Sequence, residues 1–185
     1  HGLLPVPLKY YGAHTGRWSG VDKVNFQNLP SRDKKKKALK NAIVPPEGYV
    51  VGNSDSSQIE ARMTVWLAGQ DDVVNQFANG EDVYSIFATD VYGRKITKAD
   101  AEERFVGKTC ILGLGYGTGA AKLQSTLATS QPISVKIELE EAKRIVGVYR
   151  DKNHAIIDLW AEGDQMLEDI INKNAPEPKS FGKHG

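Results

Sequence analysis

Apolar residues recur at helical spacing over much of the chain. One such stripe occupies positions i, i+4, i+7 and i+8 of a helix and consists of Ile59, Met63, Trp66 and Leu67. The run before it, at residues 49–52, is aromatic and β-branched, which favours a buried strand. Asp55 therefore falls at a junction where a strand ends and a helix begins.

The remaining pattern predicts a helix-rich α+β chain. An irregular, hairpin-like stretch runs through Pro30, and the residues at 45–48 predict a turn. Further helices are predicted near residues 32–41, 72–79, 82–91 and 104–116, from about 138, and to about 173. Two helical stripes predict core contacts, one with Ala142, Ile145, Val146 and Tyr149, the other with Ile156, Ile157, Trp160, Leu167 and Ile170.

Asp55 and Glu60 place two carboxylates around the predicted strand-to-helix junction. A carboxylate at the end of a buried strand needs a partner or a cation to offset its desolvation, and Mg²⁺ is a natural partner. One carboxylate cannot hold Mg²⁺ alone, so such a site needs further ligands. For Glu60 an alternative stays open, because Ser57 and Glu60 have the spacing of a helix capping box.

A second informative segment spans residues 104–117. If this segment is helical, residues spaced four apart lie on one stripe of its surface. These residues are Arg104, Lys108, Leu112 and Tyr116. Two cations one turn apart can grip a triphosphate, and an aromatic ring further along can cover a base or sugar. A solvated helix face is the simpler alternative for the two cations. Glycines at 113, 115, 117 and 119 predict that the second half of this helix is easily distorted.

The same glycines suggest a dinucleotide-binding turn as a competing interpretation, with residues 109–112 as its strand. The spacing does not fit, because Gly113 and Gly115 require a third Gly or Ala where Thr118 stands. No second strand that carries an acidic residue is predicted ~20 residues beyond the turn.

Composition excludes several classes of protein. With 24 basic and 23 acidic residues, the chain has a net charge of +1, which does not indicate a nucleic-acid-binding protein. The basic residues are concentrated around Lys34 to Lys37, and this cluster predicts either a solvated surface or contact with phosphates. The single Cys110 excludes an intrachain disulfide and a cysteine-rich zinc site. No apolar run reaches the ~20 residues of a membrane span, and no signal-peptide pattern opens the chain, so a soluble cytoplasmic protein is expected.

Four motifs in order give the chain a resemblance to a known family. Residues 55–62 resemble motif A of the family A, or polymerase I-like, DNA polymerases, and residues 104–117 resemble motif B, Arg-x3-Lys-x6-7-Tyr-Gly. Residues 15–19 and 25–30 are similar to the two elements that precede motif A. The ordered set covers roughly residues 8–160 and is most similar to the branch encoded by bacteriophages.

The resemblance implies the palm and fingers subdomains of a right-hand polymerase fold. Residues 1–70 would belong to the palm, residues 71–150 to the fingers, and residues 151–185 to a return to the palm. The His-Asp-Glu triplet of motif C does not occur, which suggests a fragment that lacks the second catalytic aspartate and is inactive alone. The proofreading exonuclease motifs expected upstream are missing too.

The resemblance also implies the reaction, which is templated addition of deoxynucleotides to the 3′ end of a primer in phage DNA replication. Two Mg²⁺ ions would be bound by Asp55 and the backbone carbonyl of Ser56. Lys108 would donate a proton to pyrophosphate, and Glu60 would exclude the 2′ hydroxyl of a ribonucleotide. The partners would be primer-template DNA and deoxynucleoside triphosphates, with no membrane involved, and the sequence does not indicate a processivity partner.

The other implied contacts fall into two groups. The nucleotide-binding residues would be Ser57, Gln58, Glu60, Tyr84, Arg104, Lys108, Leu112 and Tyr116. The DNA-binding residues would lie along the minor groove and backbone of the duplex, where contacts tolerate any sequence, and would be Arg17, Asn25, Gln27 and Asn28.

Two positions depart from the family pattern. Leu112 stands where many members have Phe or Tyr, and Tyr84 replaces a histidine that would contact the phosphates. Two other functions stay open. One is a single-subunit RNA polymerase, against which Glu60 argues because a large side chain beneath the sugar obstructs ribonucleotides. The other is a non-catalytic module that binds nucleic acid or a dinucleotide.

Overall fold

The computed structural model describes residues 4–23, 25–29, 37–52, 54–172 and 181–184, without the side chain of Asn28. The chain divides into two compact units, one ending at Ser54 and the other beginning at Asp55. The boundaries between palm and fingers at residues 70 and 150 stay predictions.

The first unit contains a short hairpin, as the sequence predicts. Strand β1 (Leu8–Lys9) pairs antiparallel with strand β2 (Ser19–Gly20). Aromatic side chains flank the hairpin, and the rings of Tyr10 and Trp18 meet edge to face with their centroids 5.3 Å apart. The hairpin is therefore supported by local aromatic contacts.

A 3₁₀ turn, Phe26–Asn28, follows the hairpin. The side chain of Asn25 caps this turn by accepting a hydrogen bond of 3.0 Å from the backbone N–H of Gln27. Helix α1 (Lys37–Asn41) is the described part of the predicted basic helix. Residues 32–36, with most of the basic run, lie outside the described residues.

The prediction of a buried strand at residues 49–52 is wrong. The stretch forms no strand, and the side chain of Val50 is 92% exposed. A strand needs a neighbour to pair its backbone donors and acceptors. In the part of the chain that the structure describes, the two strands pair only with each other, so residues 49–52 have no partner strand there.

The second unit is a helical bundle. Its helices are α2 (Ile59–Ala68), α3 (Asp71–Ala78), α4 (Val83–Tyr92), α5 (Ala101–Leu114), α6 (Ala120–Thr129), α7 (Leu139–Lys152) and α8 (His154–Ile171). The predicted helices are confirmed to within a few residues, and α6 is an additional helix that the sequence pattern did not predict. The helix-rich α+β class is confirmed.

Helix α5 contains residues 109–112, which the dinucleotide interpretation required as a strand, so that interpretation is wrong. The glycines also have a clear role. Gly115 ends α5, and Gly117, with a φ of 72°, makes the turn that separates α5 from α6.

Helix α2 does not bury the stripe of large apolar residues from which it was predicted. Its buried residues are Ala61 and Val65, whereas Ile59, Met63 and Trp66 are 48%, 44% and 40% exposed. The reason is steric: small residues let α2 approach α3, α5 and α8 closely, and the large apolar side chains are left outside the contact.

Helices α4 and α5 form the centre of the core. Val106 and Cys110 of α5 are fully buried against the buried face of α4. Gly107 faces the backbone of α4, and a Cβ atom at this position would collide with the carbonyl oxygen of Tyr84. The absence of a side chain on Gly107 therefore allows α4 and α5 to approach this closely. Burial also raises the pKa of the Cys110 thiol to about 12, so this cysteine stays protonated.

The predictions of core contacts for the apolar stripes of α7 and α8 have different outcomes. The predicted α7 stripe is confirmed, since Ala142, Ile145, Val146 and Tyr149 are all buried. In α8, Ile156 is buried, but Leu167 and Ile170 are 59% and 60% exposed, so their prediction as core residues is wrong. None of the described helices is both long and apolar enough to cross a bilayer.

Candidate nucleotide-binding site

Helix α5 carries the two predicted phosphate-binding cations. Arg104 lies in its first turn and Lys108 one turn later. Arg104 is partly buried, with its side chain 30% exposed, whereas Lys108 is exposed. Lys108 makes no ion pair with the residues that the structure describes, so its ammonium group can meet a ligand. The alternative of a plain solvated face therefore fits Lys108 better than Arg104.

Arg104 is bound by a carboxylate from the start of α4. Its Nε donates to Oδ2 of Asp82 at 2.7 Å, and its Nη2 donates to Oδ1 at 3.1 Å. The Ser85 hydroxyl also donates to Oδ2 of Asp82, at 2.9 Å. Burial acts to raise the pKa of Asp82, but the hydrogen bonds from Arg104 and Ser85 outweigh it and hold that pKa below its ordinary value. Asp82 is therefore ionised and paired at neutral pH.

Tyr84 lies beneath the same guanidinium group. The Cζ atom of Arg104 is 5.4 Å from the centroid of the Tyr84 ring, within the range of a cation–π contact. Tyr84 is only 5% exposed and belongs to the core. This burial leaves little of the ring surface for a nucleotide. Its predicted contact with the phosphates stays untested.

The last two residues of the stripe occupy different environments. Leu112 is partly buried and packs against the core. Tyr116 lies beyond the end of α5, in the turn after Gly115, and is 67% exposed. Beside it, a mainly apolar groove of about 620 Å³ lies between this turn and α8, where Trp160 and Leu167 line it. An exposed ring beside such a groove can offer a flat surface to a base.

The motif A residues lie just before α2. Asp55 is exposed, so the desolvation argument for a bound cation, made from the expected buried strand, is wrong. The carbonyl of Ser56 accepts a hydrogen bond of 3.3 Å from the N–H of Ile59, and a carbonyl oxygen keeps a second lone pair for another partner. The Ser57 carbonyl accepts from Nε of Arg62 at 3.0 Å. These bonds fix the backbone around Asp55.

The capping-box alternative for Glu60 is wrong. Helix α2 begins at Ile59, and its N-cap residue is Gln58 in the left-handed region, with a φ of 55°. Glu60 is thus the second helical residue, whereas a capping box with Ser57 needs Ser57 as the N-cap. Glu60 is exposed in this first turn, a position where the helix dipole favours an acidic side chain.

The donor set at motif A fits one part of a magnesium site. Mg²⁺ in enzymes keeps several waters and binds through one or two carboxylates together with substrate phosphates. Asp55 offers one accessible carboxylate with a fixed carbonyl next to it. Among the described residues, no three acidic, histidine or cysteine side chains lie together in a way that could hold a metal ion. A complete site therefore needs oxygens from another source.

The predicted DNA-binding residues lie in the first unit. Arg17 precedes β2, and Asn25 and Gln27 lie at the 3₁₀ turn, all three with exposed side chains. The side chain of Asn28 lies outside the description. Their predicted contacts with a duplex remain a prediction.

Sequence reasoning missed the role of Asp82. It stands 22 residues before Arg104, so no helical or strand spacing connects the two. The one available signal is its place at the start of the helix predicted near residues 82–91, where acidic residues commonly act as caps. The structure shows no capping hydrogen bond from this side chain, which is committed to Arg104 and Ser85.

Comparison with known proteins gives a consistent result. A family model described as DNA polymerase family A matches residues 7–170. DNA polymerase I of Chloroflexus aurantiacus is 31% identical over 133 residues, which are 72% of this chain and 14% of that protein. The thermostable DNA polymerase I of Thermus thermophilus is 31% identical over 162 residues, which are 88% of this chain and 18% of that protein. The chain thus spans less than a fifth of the length of these relatives.

A solved structure has a similar fold. It is the POL domain of Pol1 from M. smegmatis in complex with DNA primer-template and dNTP, with a TM-score of 0.72 and 30% sequence identity. The match covers 91% of this chain and 28% of that one. The helix-rich architecture therefore corresponds to a part of that polymerase domain.

Proposed function

Because this chain belongs to DNA polymerase family A, we propose that it forms the nucleotide-binding face of a DNA-templated DNA polymerase, together with one half of the metal site. The observation that carries the proposal is the pair of cations one turn apart on α5, with Arg104 fixed by Asp82 and Lys108 exposed. An arginine fork and a lysine point charge at this spacing suit a triphosphate.

Asp55 and the carbonyl of Ser56 are the groups that would hold Mg²⁺. The ions, when bound, would lower the pKa of the attacking hydroxyl and offset the charge that develops on the phosphates. The chain's own contribution is to present Asp55 as an accessible carboxylate shortly before helix α2. Lys108 would neutralise the phosphates and hold the proton that the leaving pyrophosphate takes up.

Glu60 would select deoxynucleotides by filling the space beneath the sugar, in the first turn of α2 and close in sequence to Asp55. This role disfavours the RNA polymerase alternative. Ser57 and Gln58 would border the same pocket, and Leu112 and Tyr116 would contact the sugar and the base. Arg17, Asn25, Gln27 and Asn28 would bind primer-template DNA. The substrates would be deoxynucleoside triphosphates, and the setting would be phage DNA replication in the cytoplasm of the host.

Nucleotide binding by the chain itself tests the proposal. We expect dATP to bind, with Arg104→Ala and Lys108→Ala each weakening the affinity about tenfold, since each removes a charged contact to phosphate. Lys122→Ala, which removes an exposed lysine of α6, is the matched control and should leave the affinity unchanged. Isothermal titration measures all four proteins. Absence of binding, or binding indifferent to Arg104 and Lys108, would contradict the proposal.

A further inference from the structure

Arg104 is held from two directions, by Asp82 directly before α4 and by Tyr84 in the first turn of α4. Asp82 engages one edge of the guanidinium group through Nε and Nη2, at 2.7 and 3.1 Å. Tyr84 lies under one face of the group, with its ring centroid 5.4 Å from Cζ. Helices α4 and α5 are packed so closely that a Cβ at Gly107 would collide with the backbone of Tyr84. The two residues that hold Arg104 therefore lie at a close contact between α4 and α5.

This pairing leaves one edge of the guanidinium group for a ligand. An arginine has five N–H donors, and the bond to Asp82 uses the Nε donor and one donor of Nη2. The other donors, on Nη1 and on the far side of Nη2, form the outer edge of the planar group. Within the described residues this edge has no hydrogen-bond partner. Two such parallel donors match two oxygens of a phosphate.

The anchoring also affects the cost of binding. A long arginine side chain loses rotamer freedom when it grips a ligand, and that loss opposes binding. The ion pair with Asp82 has already ordered the Arg104 side chain. A phosphate that meets the outer edge can then bind without displacing Asp82, since the two partners use different donors.

We propose that Asp82 and Tyr84 are positioning residues, which hold Arg104 with its outer edge presented to the triphosphate of the incoming nucleotide. The inference deepens the proposed function and rests on it. It assigns Tyr84 a supporting role beneath Arg104 instead of a phosphate contact, in agreement with its 5% exposure. Asp82 acts through Arg104 and touches no nucleotide.

Asp82→Asn is the central variant, and Asp90→Asn is its matched control. Asp90, in α4, is likewise a carboxylate in an ion pair with a neighbouring helix, since its Oδ1 lies 3.0 Å from Nζ of Lys152. Its side chain is 29% exposed, close to the 21% of Asp82. In titrations of the chain with dATP, Asp82→Asn should weaken the affinity roughly three- to tenfold, the range of one net hydrogen bond. Asp90→Asn should leave the affinity unchanged.

A double-mutant cycle separates positioning from a general structural effect. Once Arg104→Ala has removed the guanidinium group, Asp82→Asn should cause no further loss of dATP affinity. Binding of dAMP should be nearly insensitive to Asp82→Asn, because the monophosphate lacks the outer phosphates. Tyr84→Phe keeps the ring and should bind dATP normally, whereas Tyr84→Leu should bind it more weakly.

Three results would overturn the inference and leave the proposed function standing. Tighter dATP binding by Asp82→Asn would mean that the carboxylate competes with phosphate for Arg104. An unchanged affinity, while Arg104→Ala still weakens binding, would remove the positioning role and leave the proposed function standing. Equal losses in Asp82→Asn and Asp90→Asn would make the effect a matter of stability alone. Failure of the unaltered chain to bind dATP would instead overturn the proposed function, and this inference with it.

Discussion

The surroundings of Arg104 and those of Asp55 differ in how much of each the chain itself supplies. Arg104 has an ion pair, an aromatic contact and a packed helix interface, all within residues 82–107. Asp55 is exposed, and the stretch before it, predicted as a strand, has no strand to pair with among the described residues. One region is locally complete, and the other needs partners.

The difference follows from the kinds of interaction involved. A helix satisfies its backbone within one segment, and two neighbouring helices can bury each other's side chains. A strand and a metal site both draw on distant segments, since ladder hydrogen bonds and additional carboxylates must come from elsewhere. A helical bundle is the kind of structure that one stretch of chain can complete by itself.

The largest expected effect tests whether Asp55 functions once its partners are present. We suggest a chimera in which residues 7–170 replace the matching segment of the Thermus thermophilus DNA polymerase I. In it, Asp55→Asn should lower primer extension by about three orders of magnitude while DNA binding persists, because the charge that offsets the developing negative charge is lost.

The control for this chimera is Asp158→Asn. Asp158 is an exposed aspartate of α8, and its neutralisation should leave primer extension within about twofold of the parent. Near-normal extension by the Asp55→Asn chimera would remove Asp55 from the catalytic site and would leave the exposed region without an assigned role.

The same contrast explains what could be predicted from the sequence. Helices α3, α4, α7 and α8 were predicted because a 3.6-residue pattern is local. The strand at 49–52 was wrong because strand propensity does not supply a pairing partner. Hydrophobicity alone also does not show which face of α2 is buried, because packing selects the smaller Ala61 and Val65 and leaves Ile59 and Trp66 exposed.

The candidate site was predictable only in part. The stripe from Arg104 to Tyr116 follows from helical spacing, although α5 ends before Tyr116. The partnership of Asp82 with Arg104 joins two helices across 22 residues, so no periodicity indicates it. Which carboxylate meets which cation is decided by the packing of α4 against α5, and Gly107 sets how closely those helices approach.

A second prediction tests the tight packing around Arg104 with two glycines of the same helix. Gly107→Ala should destabilise the chain by roughly 1–3 kcal/mol, because the new Cβ meets the backbone of α4 and the helices must separate. Gly113→Ala is the matched change, since its nearest heavy atom is Oγ1 of Thr118 at 4.0 Å, and it should stabilise by about 0.5–1 kcal/mol. Urea unfolding of both variants measures the difference. Equal effects would mean that α4 and α5 are not closely packed in solution.

The smallest expected effect concerns the pH dependence of the Asp82–Arg104 pair. The pKa of Asp82 lies below its ordinary value of 3.8 in the folded chain, so folding favours the ionised carboxylate. The stabilisation by this pair is therefore complete above the pKa that Asp82 has in the unfolded chain, and it is lost as the pH falls through the lower pKa of the folded chain.

At pH 6 the unaltered chain should melt about 2–4 °C above Asp82→Asn, as expected for a pair worth about 1 kcal/mol. This gap should narrow below about pH 4 and close at lower pH, because protonation then removes the charge that the substitution removes. Other carboxylates, including Asp100, whose pKa is lowered to about 2 by its hydrogen bonds with Arg94 and Thr97, titrate in both proteins and cancel in the difference. Melting curves recorded from pH 6 to pH 2.5 give the measurement. A gap that stays constant over this range would show that Asp82 stabilises the fold by packing and that its charge on Arg104 contributes nothing.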